Sequence, residues 1–301
     1  MRTLLRIVVG LVVVVVLVIA GTAGFAQFGS ERKLHRTISV QVTPIVLPTD
    51  QAALDRGAYL YKSRGCGECH GLDGAGKIVI DDDGFLVKAP HIASGEGSVT
   101  ANYKPEDWVR TIRHGVKPNG EPAFIMPSED FNRLTDADVG AVASYVRSLP
   151  AVAGTGSEFR VPLLVRFLYA AGMIKDAAEK IDHNLPPEQP FASNDEIAHG
   201  AYVAAACKGC HNEFLSGGLI PGAPPTWPPA ANLTPGVDGV LPLYPNAEAL
   251  AAMFRSGKRP NGSAVSTVMP FGMLSAMSDE DVNALYGFLK TVRALKQGEH
   301  P

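Results

Sequence analysis

The strongest constraint on this chain is a five-residue motif that occurs twice. CGECH stands at 66–70 and CKGCH at 207–211, so the four cysteines form two pairs, each followed at once by a histidine. This spacing is that of c-type haem attachment, in which both thiols form thioethers and the imidazole faces the iron. The sequence therefore predicts two covalently bound haem c groups, attached through Cys66, Cys69, Cys207 and Cys210, with His70 and His211 as iron ligands.

Other uses of paired cysteines explain the motif less well. A zinc ribbon needs two neighbouring pairs, whereas 137 residues separate Cys69 from Cys207. A thioredoxin-like dithiol does not require a histidine directly after its second cysteine. Plain disulfides would suit an exported protein but would leave both histidines without a role. Haem attachment accounts for all six residues.

The motif belongs to a longer internal repeat. Four further landmarks recur in the same order, namely Gly-Ala-Tyr at 57 and 200, Pro-Asn-Gly at 118 and 260, Met-Pro at 126 and 269, and an acidic helix start at 135 and 278. A length of 301 residues suits two domains, although one long domain is an alternative. We expect similar domains at 49–152 and 188–297, joined by a connector at 153–187. The apolar part of the connector, 161–174, is interpreted as a strap packed between the domains, with a membrane-surface segment as the alternative.

Local patterns indicate helices and loops. Apolar residues at 139–146 and 282–289 recur at helical spacing. Segments 71–104 and 217–245 are rich in Gly, Pro and Asp without sustained strand alternation, so we expect long loops there, including a solvated acidic stretch at 81–83. The expected fold is all-α. Helix starts are marked by residue pairs that resemble capping boxes, namely Thr135 with Asp138, Ser193 with Glu196, and Ser278 with Asp281.

The repeat also predicts the sixth iron ligand. Met126 lies 60 residues after Cys66, and Met269 lies 62 residues after Cys207, each directly before a proline. A methionine thioether is a common axial ligand of c-type haem. Met273 is the competitor in the second repeat. Two histidines without counterparts in that repeat are assigned to the surface or to the propionate side, namely His91 and His114.

Several other side chains are expected around the porphyrin. Arg113 and Arg255 hold matching positions, and a guanidinium there can bond the haem propionates. An ordinary solvated arginine on a helix is the equal alternative. Three aromatic residues are expected to pack on the porphyrin or on the terminal helix of a repeat, namely Tyr59, Tyr202 and Trp108.

Residues 1–30 form an apolar N-terminal segment. No charged residue occurs from Ile7 to Ser30, a run of 24 positions. This exceeds an ordinary signal-peptide core and suffices for a transmembrane helix. We therefore predict an uncleaved membrane anchor, with a signal peptide cut after Ala26 as the alternative. Haem is attached outside the cytoplasm, so the rest of the chain is expected on the periplasmic side of a bacterial inner membrane.

Charge narrows the range of partners. With 27 basic and 30 acidic side chains, the formal net charge is −3. No basic field is available to hold a nucleic-acid backbone, so nucleic acid is not an expected partner.

Taken with the motifs above, the sequence resembles a dihaem cytochrome c with two class I cytochrome c domains. It is similar in style to the membrane-bound cytochrome subunits of bacterial alcohol and aldehyde dehydrogenases. Those subunits commonly have three haem domains, whereas this chain has two. The resemblance implies an electron-transfer protein without catalysis of its own, which relays electrons from a dehydrogenase or a quinol-oxidising complex to a downstream cytochrome, oxidase or reaction centre. Its expected redox partners are subunits of a membrane dehydrogenase or of a respiratory or photosynthetic complex.

An enzyme of a different class shares the same motif count. Bacterial dihaem peroxidases also carry two CxxCH domains, but their peroxidatic haem keeps an accessible distal side. The matched Met126 and Met269 favour two closed haems instead. The peroxidase reading stays as the alternative function.

Overall fold

The computed structural model describes residues 2–82, 84–192, 194–220, 223 and 226–301. Helices dominate in both repeats. The α-helices are α1 (Arg2–Leu34), α2 (Gln51–Ser63), α3 (Cys66–His70), α4 (Pro105–His114), α5 (Asp136–Ser148), α6 (Leu163–Ala170), α7 (Ala177–Lys180), α8 (Glu196–Ala204), α9 (Lys208–His211), α10 (Ala247–Ser256), α11 (Phe271–Ser275) and α12 (Asp279–Leu289). The strands are β1 (Ile78–Asp82), β2 (Phe85–Lys88) and β3 (Glu158–Arg160), and short 3₁₀ turns occur at Ser128–Asp130, Ala205–Cys207 and Leu241–Leu243.

In both repeats the first and last helices cross at a glycine. Gly57 of α2 lies so close to α5 that a Cβ added there would be 2.1 Å from the Ala141 carbonyl oxygen. Gly200 of α8 meets α12 in the same way, with a Cβ position 2.0 Å from the Ala284 carbonyl oxygen. Only glycine allows backbones to approach this closely. The recurring Gly-Ala-Tyr of the sequence therefore marks a helix crossing that both repeats share.

We expect Gly57→Ala to lower the free energy of unfolding by about 1–3 kcal/mol, because the added methyl group must displace the α5 backbone. Gly200→Ala should do the same in the second repeat. Gly287→Ala is the matched control, since a Cβ there would meet only the flexible Glu196 side chain, at 3.6 Å. Thermal unfolding of the three variants tests the crossing. Equal stability of Gly57→Ala and Gly287→Ala would contradict it.

Each repeat has its own hydrophobic core. In the first repeat the core includes Leu60, Trp108 and Val139, and the partly buried Cys66 and Met126 pack against it. In the second, Val203, Leu250 and Leu285 belong to the core, and Cys207 and Met269 pack against it. The cysteine and methionine that the sequence assigns to one haem thus lie on the same core in each case.

The helix starts follow the sequence in two of three cases. The hydroxyls of Thr135 and Ser278 accept hydrogen bonds from the backbone amides of Asp138 and Asp281, both at 3.1 Å. These N-caps were predicted and are confirmed. Ser193 lies outside the described residues, and the cap of α8 is Asp195, whose carboxylate accepts from the Ala198 amide.

The prediction of an all-α fold is wrong in one region. Strands β1, β2 and β3 form an antiparallel sheet in that order, built from the loop after the first haem motif and from the connector. Ile80 pairs with Val87 and Asp82 pairs with Phe85, beside Gly84, which has a φ of +84°. Asp81 and Asp82, expected in a loop, lie on the exposed strand β1, while Asp83 lies outside the described residues. The sequence analysis overlooked a short β-branched hairpin with a turn at Gly84.

The apolar part of the connector is not a strap between the repeats. Helix α6 packs instead on the C-terminal part of α1, where the Phe25 and Phe167 rings meet edge to face with centroids 5.7 Å apart. Within the described residues, α1 is the helix long and apolar enough to cross a membrane. The preferred interpretation of 161–174 is therefore corrected. Its apolar character had suggested burial between the repeats, whereas its partner is the N-terminal helix.

Two tyrosines join the repeats in a reciprocal manner. The Tyr59 hydroxyl donates to the Asp281 carboxylate at 2.6 Å and accepts from the Ser278 amide at 3.1 Å. The Tyr202 hydroxyl donates to Asp138 at 2.6 Å and accepts from the Thr135 amide at 3.2 Å. Each tyrosine thus completes the start of the terminal helix in the other repeat. We call these two sets of hydrogen bonds the tyrosine clamp.

Charged partners support both aspartates of the clamp. Arg56 donates two hydrogen bonds to Asp138, and at the matching position His199 contacts Asp281 at 2.7 Å. The buried Arg64 also donates to Asp281, at 3.1 Å. Burial alone would raise the pKa of Asp281, but Arg64, Tyr59 and His199 together hold it below its usual value. The carboxylate therefore stays charged and can accept these hydrogen bonds.

Tyr59→Phe should destabilise the protein by about 1.5–3 kcal/mol, the usual worth of a hydrogen bond to a charged group. It should also separate the unfolding of the two repeats, because the clamp joins them. Tyr286→Phe is the control, since its hydroxyl bonds the Tyr244 carbonyl within the second repeat. Calorimetry of both variants tests this. One undivided transition for Tyr59→Phe, at the temperature of the parent protein, would contradict the clamp.

Candidate functional site

Both haem motifs hold their histidine in the same way. His70 donates from Nδ1 to the Pro90 carbonyl oxygen at 2.9 Å, and His211 donates from Nδ1 to the Ala231 carbonyl oxygen at 2.7 Å. The acceptor lies 20 residues beyond the histidine in each repeat. Such a hydrogen bond fixes the ring and its tautomer and leaves Nε2 as the lone-pair nitrogen. The two imidazoles are thus prepared to bind iron through Nε2, and the residues present fit a haem.

The four cysteines are free thiols in the fold, and each is described. Cys66, Cys69 and Cys207 are partly buried, and Cys210 is exposed. Burial raises the pKa of the Cys66 and Cys207 thiols to about 12. A redox-active dithiol requires a lowered thiol pKa, so the dithiol alternative has no support from the surroundings of these residues.

A matched turn leads to each candidate methionine. Helices α4 and α10 end at Gly115 and Gly257, both in the left-handed conformation. The Gly115 carbonyl accepts from the Ala123 amide at 2.7 Å, and the Gly257 carbonyl accepts from the Val265 amide at 2.8 Å. The intervening Pro-Asn-Gly segments close the same turn in both repeats. The backbone therefore delivers the two Met-Pro pairs from equivalent positions.

The remaining methionines of the second repeat have other surroundings. Met253 and Met277 are buried in the hydrophobic core, at 4% and 6% exposure. Met273 approaches the first repeat, since a Cβ on Gly65 would lie 3.1 Å from its sulfur. Met269 occupies the position that matches Met126. The surroundings of Met273 thus favour Met269 as the axial candidate.

The methionine loop of each repeat touches the haem motif of the other. A Cβ on Gly209 would lie 2.6 Å from an Asp130 carboxylate oxygen, four residues after Met126. A Cβ on Gly272, three residues after Met269, would collide with the Glu68 carboxylate. The sequence analysis did not single out these contact residues, because only the fold brings them together. They place the two motifs on facing sides of one interface.

The two candidate propionate arginines differ in environment. Arg113 is buried, donates from Nε to the Leu134 carbonyl oxygen and from Nη1 to Asp136, and its Nη2 has no partner among the described residues. The Trp108 Nε1 is likewise buried and unpaired within the described part of the chain. Arg255 has a half-exposed side chain and pairs with Asp279. Among the described residues, α4 of the first repeat therefore offers buried N–H donors without a partner, and α10 of the second repeat does not.

Neither His91 nor His114 lies at the surface, so the surface alternative is wrong, while the propionate-side alternative stays a prediction. His91 is fully buried, and the described residues supply no partner for either ring nitrogen. At the matching position Asn232 is also fully buried, and it donates to the Leu295 carbonyl oxygen at 2.7 Å. His114 is 6% exposed and shares a hydrogen bond with His183 of the connector, Nδ1 to Nδ1, at 3.0 Å. The His114 side chain therefore joins the first repeat to the connector.

The stability of the protein should fall as the pH drops from 6.5 towards 4, in part because of His114. Burial, with His183 and nearby arginines, lowers its pKa to about 4 from an ordinary value of 6.5. Between these values the unfolded chain binds the additional proton, so protonation favours unfolding. His114→Gln should flatten this slope in unfolding titrations, whereas the exposed control His300→Gln should retain it. A slope unchanged in His114→Gln would contradict the assignment.

A match to a known protein family shows what kind of domain the first repeat contains. Residues 52–146 match the family model "Cytochrome C oxidase, cbb3-type, subunit III", a c-type cytochrome domain. Together with the CxxCH geometry, this match shows a c-type cytochrome domain at residues 52–146 and supports covalently bound haem c. The expected resemblance and cofactor are confirmed.

Three proteins with similar sequences are cytochrome subunits of dehydrogenases. The fructose dehydrogenase cytochrome subunit of Gluconobacter japonicus is 24% identical, over 83% of this chain and 55% of that protein. The cytochrome c subunit of alcohol dehydrogenase (quinone) from Gluconobacter oxydans is 23% identical, over 83% and 57%. The gluconate 2-dehydrogenase cytochrome c subunit of Pantoea cypripedii is 24% identical, over 81% and 60%. The chain thus spans little more than half the length of these relatives.

A solved structure also aligns with the chain. The reduced recombinant cytochrome c4 of Pseudomonas stutzeri is 17% identical, and the alignment covers 80% of this chain and 98% of that one. Its TM-score of 0.22 is too low for an argument about the arrangement of the two repeats.

Proposed function

We propose that the protein is a dihaem electron relay built from two class I cytochrome c domains, at 49–152 and 188–297, with a connector at 153–187. The observation that carries this proposal is the repeated histidine geometry. His70 and His211 are oriented by carbonyls at the same distance along the chain, to Pro90 and Ala231. Because the second repeat reproduces the arrangement of the first, we assign a haem to each.

Each haem would be held by four residues of its own repeat. In the first domain Cys66 and Cys69 form the thioethers, and His70 and Met126 bind the iron. In the second domain the corresponding residues are Cys207, Cys210, His211 and Met269. When bound, each haem supplies a one-electron Fe(III)/Fe(II) couple. The protein's part is to fix the imidazole, supply the thioether and exclude water with the core on which Cys66 and Met126 pack.

With one histidine and one methionine as its protein ligands, each haem iron would have no open position for a substrate. Such a site exchanges electrons, and the soft thioether favours the ferrous state and raises the potential. The contacts of Asp130 with Gly209 and of Gly272 with Glu68 support passage between the haems, because each motif lies against the other domain. The protein itself would carry out no catalysis.

Arg113 and Arg255 remain the proposed propionate partners. For Arg113 the support is its buried Nη2, which has no partner in the described part of the chain, because such a donor suits a buried carboxylate. Arg255 is supported by its repeat position, but it is exposed and paired with Asp279. The two haems would therefore have unequal surroundings, with the stronger positive charge at the first.

The N-terminal segment, residues 1–30, would anchor the protein in the bacterial inner membrane. Helix α1 is 33 residues long, and its apolar part lies outside the packed body of the protein. The haem domains would lie in the periplasm, because haem c is attached outside the cytoplasm. An uncleaved helix also explains why its last turns pack on α6.

We propose a membrane dehydrogenase as the electron donor. The relatives named above are cytochrome subunits of fructose, alcohol and gluconate dehydrogenases, which supports this class of partner. The acceptor would be a downstream cytochrome, a terminal oxidase, or a respiratory or photosynthetic complex. Isolation of the protein in mild detergent, followed by identification of its co-purifying subunits, tests the donor. Purification without any dehydrogenase subunit would contradict it.

Met126→His and Met269→His test the axial ligands. Each variant should lower the potential of one haem by a sizeable part of the roughly 0.8 V range over which axial ligands act. Met273→His is the control and should leave both potentials near those of the parent. Spectroelectrochemical titration measures all three. An unchanged potential in Met126→His or Met269→His would remove that methionine from the assignment.

Hydrogen peroxide separates the relay from a peroxidase. The relay should remain low-spin in both oxidation states and should turn over peroxide only slowly with a reduced donor, because neither iron has an open position. Fast peroxide turnover, or a high-spin signal from one haem in the active form, would support the peroxidase alternative instead.

A further inference from the structure

The region where α6 meets α1 has one polar and one apolar side. Arg166, the charged residue within α6, turns towards α1 and contacts Glu31 at 2.6 Å. Lys33 donates to the Tyr169 carbonyl oxygen at 2.9 Å. The buried Asp176 accepts from the Tyr169 hydroxyl at 2.6 Å and pairs with Arg36 at 2.8 Å. The polar groups at this junction are thus partnered within it.

Four large apolar side chains at or near this junction are exposed. Leu163 and Leu164, at the start of α6, are 50% and 67% exposed, and Met173, just after its end, is 73% exposed. Phe28 of α1 is 77% exposed. These four exposed residues lie on or next to the two helices that pack together, and we call them the α6 patch. Soluble proteins seldom expose neighbouring large apolar side chains without an interaction partner.

The position of the α6 patch indicates its partner. Phe167 of α6 packs on Phe25, which belongs to the uncharged run of α1, and Ala170 lies against Gly29. The polar contacts begin at Ser30 and Glu31, where that run ends. Helix α6 therefore lies at the level where the proposed membrane helix changes from apolar to charged residues. This is the level expected for the boundary between acyl chains and headgroups.

We propose that the α6 patch rests in the outer boundary of the lipid bilayer, as a second membrane contact beside α1. This inference depends on the proposed anchoring by α1. Phe28 belongs to the apolar run of α1, and Phe167 of α6 packs on Phe25 of the same run, so the same lipid phase would cover both surfaces. The patch would limit rotation of the haem domains relative to the membrane, because a single helix and a laterally placed apolar surface define an orientation together.

Spin labels in the full-length holoprotein test the proposal. Single cysteines are introduced by Leu164→Cys, Val14→Cys and Val237→Cys and labelled after the haems are attached. Val14 lies within the apolar run of α1, and Val237 is a fully exposed residue of the second repeat. The protein is reconstituted in nanodiscs of phosphatidylethanolamine and phosphatidylglycerol. Collision rates with oxygen, which concentrates in lipid, are compared with those of a water-soluble nickel chelate.

The lipid contact predicts a clear order of the three labels. At Val14 oxygen should dominate, at Val237 the nickel chelate should dominate, and at Leu164 oxygen should exceed the chelate at a shallower depth than at Val14. An unchanged haem spectrum establishes that each variant is folded. A second label, introduced by Met173→Cys, should behave as the label at Leu164 does.

Other outcomes would overturn the inference in distinguishable ways. A water-exposed label at Leu164 beside a lipid-exposed one at Val14 would refute the α6 contact and leave the anchor intact. Water exposure at both would refute the anchor as well. A label at Leu164 that neither reagent reaches would mean that protein covers the patch, either a second copy or another subunit, and would exclude lipid.

Discussion

A hydrogen bond from a histidine ring to a backbone carbonyl organises both halves of this protein. His70 and His211 each direct Nδ1 towards a carbonyl 20 residues further along the chain, so Nε2 of each ring is left for a metal. Pro90 and Ala231, which supply these carbonyls, lie in the segments that follow the two haem motifs. The imidazole can therefore be oriented only if the segment that follows the haem motif is placed correctly. Both repeats meet this requirement with the same hydrogen bond.

The two repeats share the same arrangement of helices and turns, but they differ in their buried polar side chains. Both have the glycine helix crossing, the capped terminal helix and the turn before the methionine. Yet the first has a buried Arg113 and a buried Trp108, whose Nη2 and Nε1 have no partner among the described residues. At the matching positions the second has an exposed Arg255 and a buried Leu250. His114 of the first repeat also pairs with His183 of the connector, whereas Ser256 stands at the matching position of the second repeat. Differences of this kind are the means by which a protein can separate the potentials of two chemically identical cofactors.

The sequence predicted those features that depend on the spacing of residues along the chain. The paired cysteines, the recurring methionine and the hydroxyl residues at helix starts each have a chemical meaning at a fixed interval, and the helices follow from periodicity. The tyrosine clamp, by contrast, joins residues 219 and 222 positions apart, and nothing around Tyr59 marks its hydroxyl as a partner of Ser278 or Asp281. The hairpin around Gly84 was missed because glycine and aspartate also favour loops. The apolar residues of α6 predicted that this segment would be buried, but they did not indicate which part of the protein it would pack against.

The tyrosine clamp bears on how such a chain arose. In an isologous contact the same patch occurs on both partners, so that residue i meets residue j and j meets i. Tyr59 with Asp281, and Tyr202 with Asp138, obey this rule inside one polypeptide. The halves therefore stand to each other as the subunits of a two-fold homodimer. Duplication and fusion of a gene for a self-associating ancestor would yield this arrangement without any new interface, and afterwards each copy could diverge under its own selection.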